Sequence, residues 1–256
     1  MKKIISYNVN GIRAAVKKDF LGWLESEKVD VIGIQETKAQ PEQLPITELE
    51  ALGFHVYSHS ANKKGYSGVS IFAKQKPNHV EYGCGIEEID FEGRVIRADF
   101  EEFSFMSVYL PSGTSGEERQ AFKMETLAKF KTYINTLKTT YPNLIIGGDF
   151  NICHTEIDIH NPKTNKNSSG FKPEERKWIG DFMNDEDLID SFRYFHKDEV
   201  DHYSWWTYRA GARGKNKGWR IDYLFVAKSL EQEMVSARIL KDIVHSDHCP
   251  IEVVIK

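Results

Sequence analysis

Short apolar runs that end in polar residues recur along this chain. The stretches "KKIISYNV", "DVIGIQE", "FHVYSHS", "GVSIFAK", "RVIRADF", "FSFMSVYL", "NLIIGGDFN", "RIDYLFVAK" and "PIEVVIK" each carry the alternation or the continuous hydrophobicity of a β-strand. Helical periodicity interrupts them. The clearest case spans about 116 to 140, where Leu127, Phe130, Ile134 and Leu137 fall on one helix face. Ser115 and Glu118 read as a capping box at its start, and Pro142 lies just beyond its end. A second helix is expected from Pro173 to about Met183, with proline suited to the first turn. Some strands follow one another through short links, as in "RVIRADFEEFSFMSVYL", while helices separate others. That mixture predicts an α/β fold of mixed sheets with helices outside, not a parallel βαβ array. No linker, repeat or charge block divides the chain, so residues 1–256 read as one domain.

The polar ends of these runs carry the chemistry. In "LIIGGDFNICH", residues 144 to 154, an apolar run meets two glycines and then Asp149 and Asn151. A buried strand that ended in unpaired polar groups would lose their hydration without return. Other runs end alike: Asn8 and Asn10, Gln35 and Glu36, Tyr109 before a Pro-Ser-Gly turn, Asp222, and Asp247 with His248. Singly, each is an ordinary turn, cap or satisfied hydrogen bond. Together they would converge if the sheets share an edge, where sites are built. The set is rich in hard oxygen donors and has one histidine, which favours Mg²⁺ or Mn²⁺ over zinc, with Glu36 a fitting ligand. "GYSGV" has valine where a nucleophile elbow needs glycine. Neither a Walker phosphate loop nor a dinucleotide-binding glycine fingerprint occurs. What remains is metal-assisted attack of water on a phosphate ester.

Composition narrows the setting. The chain is 40% hydrophobic and 28% charged, without low-complexity tracts. "MKKIISYNV" is too short for the apolar region of a signal peptide, and no run approaches the ~20 residues of a membrane helix. Three cysteines without a C-x-x-C pair argue against a disulfide framework and a zinc knuckle, so a cytoplasmic protein is expected. A net charge of −4 predicts no polyanion binding by itself, and a nucleic-acid reading must rest on local basic stretches.

In order, "SYNVNGIRA", "IGIQETK", "KKGYSGVSIF", "EGRVIRADF", "VYLPSG", "GGDFN", "SGFKPEER", "GWRIDYLF" and "SDHCPI" resemble the motifs of the exonuclease III and class II apurinic/apyrimidinic (AP) endonuclease family. The resemblance covers essentially the whole chain, and "GYSGV", "NPKTNK", "FKPEER" and "GWRIDY" look closer to the animal-type branch than to the enterobacterial one. It implies a DNase I-like four-layer α/β sandwich, and a chain that starts directly at the catalytic domain. The implied activity is Mg²⁺-dependent hydrolysis, with Mn²⁺ a possible substitute, of the phosphodiester 5′ to an abasic site in duplex DNA. The products would be a 3′-hydroxyl and a 5′-deoxyribose phosphate, with accompanying 3′-5′ exonuclease and 3′-phosphodiesterase activity. A monomer is expected, with no membrane partner.

The resemblance also implies roles. Glu36 is the main metal ligand, and Asp247 a second or water-mediated one. Asp149 orients and deprotonates the water, with Asn151 beside it. His248 contacts a non-bridging phosphate oxygen while Asp222 accepts from its other ring nitrogen. Tyr109 and Asn8 complete the phosphate cradle, and Asn8, Asn10, Asp149, Asn151 and His248 surround the ion. Many relatives have aspartate at the position of Asn10, which limits it to a weak, water-mediated role. Ser112 stands where relatives often carry a longer amide. Trp205 and Trp219 fall where the family places pocket aromatics, with Leu224 or a neighbour adding to the wall and Arg209 entering the groove.

Two acid-free stretches support a DNA track: 209–220, with Arg209, Arg213, Lys215, Lys217 and Arg220, and 161–172, with Lys163, Lys166 and Lys172. Interleaved with tryptophan and next to Asp222, they look like loops that straddle a duplex backbone, and Arg13, Lys17 and Lys18 extend the track. Two other functions compete. Inositol-phosphate and sphingomyelin phosphodiesterases share the superfamily plan, but the basic loops and the lack of an apolar membrane loop speak against them. A DNA-binding protein with a dead site is opposed by the complete acid, amide and histidine set.

Overall fold

Period-2 alternation along the strands sorts their side chains into layers, and the computed structural model, which describes residues 1–256, shows how. Two six-stranded mixed sheets lie face to face. The first has the order β11 (Met234–Ile239), β12 (Ile251–Ile255), β1 (Lys2–Asn8), β2 (Val31–Gln35), β4 (Val69–Ala73), β3 (His55–His59). The second has the order β5 (His79–Tyr82), β6 (Val95–Asp99), β7 (Ser104–Tyr109), β8 (Leu144–Asp149), β10 (Asp222–Ala227), β9 (Leu188–Asp190). The helices are α1 (Ile12–Val16), α2 (Phe20–Glu27), α3 (Ile46–Ala51), α4 (Glu87–Phe91), α5 (Glu117–Leu137), α6 (Pro162–Asn165), α7 (Pro173–Asp185) and α8 (Ser191–Phe195).

Ile5, Tyr7, Ile32 and Ile34 turn outward onto Phe20, Leu24 and Leu49 of α2 and α3. Ile146, Tyr223 and Phe225 turn the other way, onto Phe130, Ile134 and Phe182 of α5 and α7. Between the sheets lie Ile4, Val31, Phe105, Ile145, Leu224 and Val226. The order is therefore helix, sheet, sheet, helix: four layers, as the resemblance implied. Gly33 and Gly147 make room for the Phe105 ring, since a Cβ on Gly33 would come within 2.9 Å of it and one on Gly147 within 3.0 Å. Overpacking a well-filled core in this way costs ~1–3 kcal/mol.

All nine strand-like runs form strands. Three strands escaped the sequence: β5, β9 and β11, each at a sheet edge. The long helix begins at Glu117, and its N-cap is Gly116 (φ +122°) with no side-chain cap. The Ser115–Glu118 capping box is thus corrected: the chain enters through a left-handed glycine and not through an extended serine. Its C-terminal end comes at Leu137, and α7 runs two residues past Met183.

Candidate active site

The face between the sheets continues outward to polar residues. Ile145, Gly147 and Asp149 share it on β8, and Val226, Leu224 and Asp222 on β10. Ser107 and Tyr109 of β7 follow the same parity, as do Ser6 and Asn8 of β1. Register places Tyr109 beside Asp149 and Asp222 opposite it. From the other sheet Asn8 Nδ2 donates to Glu36 Oε1 at 2.8 Å and to Asp149 Oδ2 at 2.9 Å. Gln35, in contrast, does not reach this cluster. It donates to Ser107 Oγ at 2.9 Å and accepts from Ser6 Oγ at 3.3 Å, a self-satisfied polar group between the sheets.

His248 sits just before β12, with Nδ1 at 2.9 Å from Asp222 Oδ2 and Nε2 at 3.8 Å from Asp149 Oδ2. Burial alone would lower its pKa, but the charge and hydrogen bond of Asp222, then Asp149 and Asp247, outweigh burial and push it up to about 10. Burial, with the nearby charges of Asp222 and Glu36 and against that of His248, pushes Asp149 up to about 7. Burial would raise Glu36 too, yet the Lys38 ammonium and the Asn8 amide hold it below the usual carboxylate range. Burial and then the Glu36 charge keep the Tyr109 phenol protonated.

Glu36, Asp149 and His248 bring potential ligand atoms within 4.8 Å of one another. Burial and then the charges of Asp222 and Glu36 raise the Asp149 carboxyl, and a hard divalent cation at this cluster would relieve that repulsion. Within the expected metal set the geometry separates two kinds of residue. His248, protonated and committed to Asp222, has no lone pair for a cation and stands as a donor. Asn8 turns its amide nitrogen to the carboxylates, while its Oδ1 accepts from the Asn10 N–H at 3.0 Å. Asn10 Nδ2 donates to Asp247 Oδ1 at 2.9 Å, and Asp247 Oδ2 accepts from Trp205 Nε1 at 3.1 Å. Asn151, at φ +54°, donates its backbone N–H to Asp149 Oδ1 at 2.8 Å and its amide to Leu110 O at 2.9 Å.

Two residues here were not singled out from the sequence. Lys38 Nζ lies 2.8 Å from Glu36 Oε2 and bonds to Asn10 Oδ1. Ser204 Oγ donates to Asp222 Oδ2 at 2.6 Å and accepts from the Ile221 and Asp222 N–H groups, which fixes the aspartate that orients His248.

The cluster opens into a cavity of ≈ 640 Å³. Trp205, Trp219 and Ile221 form its apolar side, and Ser112, Gln120, Ser168 and Lys172 line another part. The two indoles meet edge to face with centroids 6.0 Å apart. Leu224 is not in this wall. It is 2% exposed in the inter-sheet core, and Ile221 takes the place beside the tryptophans. Ser112 Oγ pairs with Thr114 Oγ1 at 3.1 Å.

Arg13, Lys17, Lys166, Arg209, Lys215 and Lys217 are exposed. Two arginines of the basic stretches are not free for a phosphate. Arg213 donates to the carbonyls of Ser246, His248, Lys241 and Ile243 and stacks over Trp206. Arg220 is 1% exposed and lies 2.7 Å from both Asp158 and Asp190.

The sequence matches the endonuclease/exonuclease/phosphatase family over residues 5–248. The chain belongs to this family. An exodeoxyribonuclease of Bacillus subtilis is 46% identical over 254 residues, covering 99% of each chain. The DNA repair nuclease APEX1 of Danio rerio is 39% identical over 251 residues, covering 97% of this chain and 80% of that one. Among solved structures, an AP endonuclease from Archaeoglobus fulgidus covers 100% of both chains with a TM-score of 0.91 at 27% identity. The likeness to an animal repair nuclease accords with the motif reading, while the Bacillus identity shows that a bacterial member stands nearer still. Two mixed sheets flanked by helices are the shared frame of the endonuclease/exonuclease/phosphatase chain and its neighbour, and the carboxylate cluster sits at the end of that frame.

Proposed function

We propose that the chain is a divalent-metal-dependent DNA repair nuclease that hydrolyses the phosphodiester 5′ to an abasic site in duplex DNA. One observation carries this reading: the Glu36–Asp149–His248 cluster opens directly into a cavity walled by Trp205, Trp219 and Ile221. Chemistry on a phosphate thus adjoins a recess with two indoles and Ile221 on one side, which suits a deoxyribose that has lost its base.

Asp149 takes a proton from the attacking water, whose approach Asn151 and Asn8 help align by fixing that carboxylate. Water oxygen bonds to phosphorus as the bond from phosphorus to the upstream O3′ breaks, and O3′ takes a proton from solvent, leaving a 3′-hydroxyl and a 5′-deoxyribose phosphate. His248, held by Asp222 and Ser204, donates to a non-bridging oxygen on which charge grows, and the neutral Tyr109 hydroxyl does the same. Glu36, with Asp149 and the Asn10–Asp247 pair nearby, would hold Mg²⁺, or Mn²⁺ in its place. That ion supplies Lewis-acid polarisation and charge neutralisation. The same site would accept a recessed 3′ end, giving 3′-5′ exonuclease and 3′-phosphodiesterase activity. Residues 1–256 act as one catalytic unit, as a monomer. The three buried, unpaired cysteines support a cytoplasmic setting.

A duplex with a single abasic analogue, incubated with and without EDTA, tests the reading. Metal-dependent nicking 5′ to the analogue is expected. Intact DNA alongside turnover of sphingomyelin or an inositol phosphate would move the protein to another branch. Binding without cleavage would mean a dead site.

A further inference from the structure

Lys123 of α5 and Glu175 of α7 form an ion pair with Nζ 2.6 Å from Oε1 and both side chains 0% exposed. Neither lines the cavity. Removing two charges from water is expensive, and apolar residues of similar volume often serve stability as well, so stability is a weak account of this pair. Its remaining hydrogen bonds point elsewhere. Resting on the nuclease reading, we infer that Lys123 and Glu175 are positioning residues: they hold the catalytic carboxylate and the wall of the abasic pocket at a fixed separation.

Two arms leave the pair. Lys123 Nζ donates to the Asn151 carbonyl at 2.9 Å. Asn151 sits in a left-handed conformation (φ +54°), which asparagine adopts more readily than most L-residues and which directs its N–H and its carbonyl to these two partners. With its carbonyl held, its N–H stays aimed at Asp149 Oδ1, 2.8 Å away, and so sets the orientation of that carboxylate. On the other arm Glu175 Oε2 accepts from the N–H groups of Gly170 at 2.7 Å and Lys172 at 2.9 Å. Gly170 (φ +93°) lies flat against the pocket: a Cβ there would come 2.9 Å from Trp219 Cζ3 and 3.0 Å from Asn151 O. The glycine therefore touches both the indole and the residue that aims Asp149. Gln120 Nε2 joins Lys123 Nζ as a donor to Glu175 Oε1, at 3.0 Å. Loosening this link by ~1 Å would misplace reacting atoms enough to cost ~10²-fold in rate.

Two double variants separate the arms. Lys123→Met with Glu175→Gln keeps an acceptor oxygen for the Gly170 and Lys172 N–H groups. Its new amide can donate to Gln120 once that side-chain amide turns over and brings its oxygen, now without a partner, to face it. Only the hold on Asn151 is lost. Lys123→Met with Glu175→Leu loses both arms. Each is measured for melting temperature, for kcat and KM on abasic duplex, and for the ratio of abasic to intact duplex binding in EDTA. In both, kcat should fall roughly 10- to 100-fold with KM little changed, and the binding ratio should fall only in the leucine variant. Folded variants with wild-type kcat, a loss confined to KM, or a loss that vanishes well below the melting temperature would overturn the inference. If the leucine variant fails to fold, the glutamine variant decides on kcat against KM. A wild type that does not nick abasic duplex refutes the nuclease reading itself, whereas wild-type kcat in the variants refutes only the positioning role.

Discussion

Asp149 and His248 are adjacent buried groups whose pKa values are both raised, by opposite balances of burial and charge. An acid near 7 can release and accept a proton at working pH, while a ring near 10 keeps its proton and donates. Their roles in the transition state follow, so Asp149→Asn and His248→Ala should each lower kcat by roughly 10²–10⁴-fold while duplex binding in EDTA stays within a few-fold. A loss confined to KM in steady-state assays would sink both assignments. Glu36 acts differently. It is the carboxylate kept ionised, by Lys38 and Asn8, and so the one ready for a cation. Glu36→Gln should shift the Mg²⁺ titration of activity to much higher concentration, with rate partly restored at saturating metal. An unchanged titration would place the ion elsewhere. Lys38 and Ser204 show why residue roles were only half legible. A lysine or a serine in the sequence does not say which carboxylate will approach it, and Ser204 meets Asp222 only because the loop carrying it folds back onto β10.

At the scale of elements, central strands were legible because burial on both faces demands apolar residues, as in "VIGIQ" and "VSIFA". The missed strands are edges with relaxed demands: β5 is largely exposed, β11 alternates with charged Arg238, and β9 has only three residues. The loop behind Trp219 was misread for a related reason. Arg220 looked like part of a phosphate track, yet it is buried with Asp158, which Arg193 also holds at 2.6 Å. Charge in a sequence does not reveal a buried acid 62 residues away. Burial would raise the Asp158 pKa, but the charges and hydrogen bonds of Arg220 and Arg193 hold it well below the ordinary carboxylate value. A depressed native pKa stabilises above the unfolded value and loses that contribution as pH falls below it. Asp158→Asn should therefore cost ~3–5 kcal/mol near neutral pH, because Arg220 loses a buried partner, and should flatten the fall in stability below pH ~4. Urea unfolding at several pH values measures both, and parallel wild-type and variant curves would contradict the linkage. Trp219, one residue earlier, faces the cavity. Trp219→Ala should widen the recess and lower the abasic-to-intact cleavage ratio. A folded variant that cuts more slowly with the ratio unchanged would make Trp219 packing only.

The whole molecule carries a net charge of −4, which repels DNA at long range, so binding depends on where the cations stand. They are exposed on segments that the backbone joins to residues of the site. The loop before Arg13 donates from Gly11 N to Glu36 O, and Arg13 itself to Lys38 O. The segment with Lys166 leads into Ser168 and Lys172, which line the cavity. The 209–217 loop is fastened through Arg213 to the carbonyls on either side of Asp247. Arg213 and Lys217 thus lie in one stretch with different work: one anchors the loop that carries His248, the other is exposed toward solvent. Each phosphate neutralised on a duplex contributes ~0.9 to the slope of log K against log salt. Lys215→Ala with Lys217→Ala should flatten that slope by up to ~2 while leaving kcat on saturating abasic duplex nearly unchanged. Arg213→Ala should do the reverse, moving the slope little and lowering kcat, because the carbonyls it holds include that of His248 itself. Binding isotherms at several salt concentrations, read beside single-turnover rates, decide between these patterns. If Arg213→Ala and the double lysine variant move slope and rate alike, the loop is one undivided phosphate track and its anchoring role is wrong.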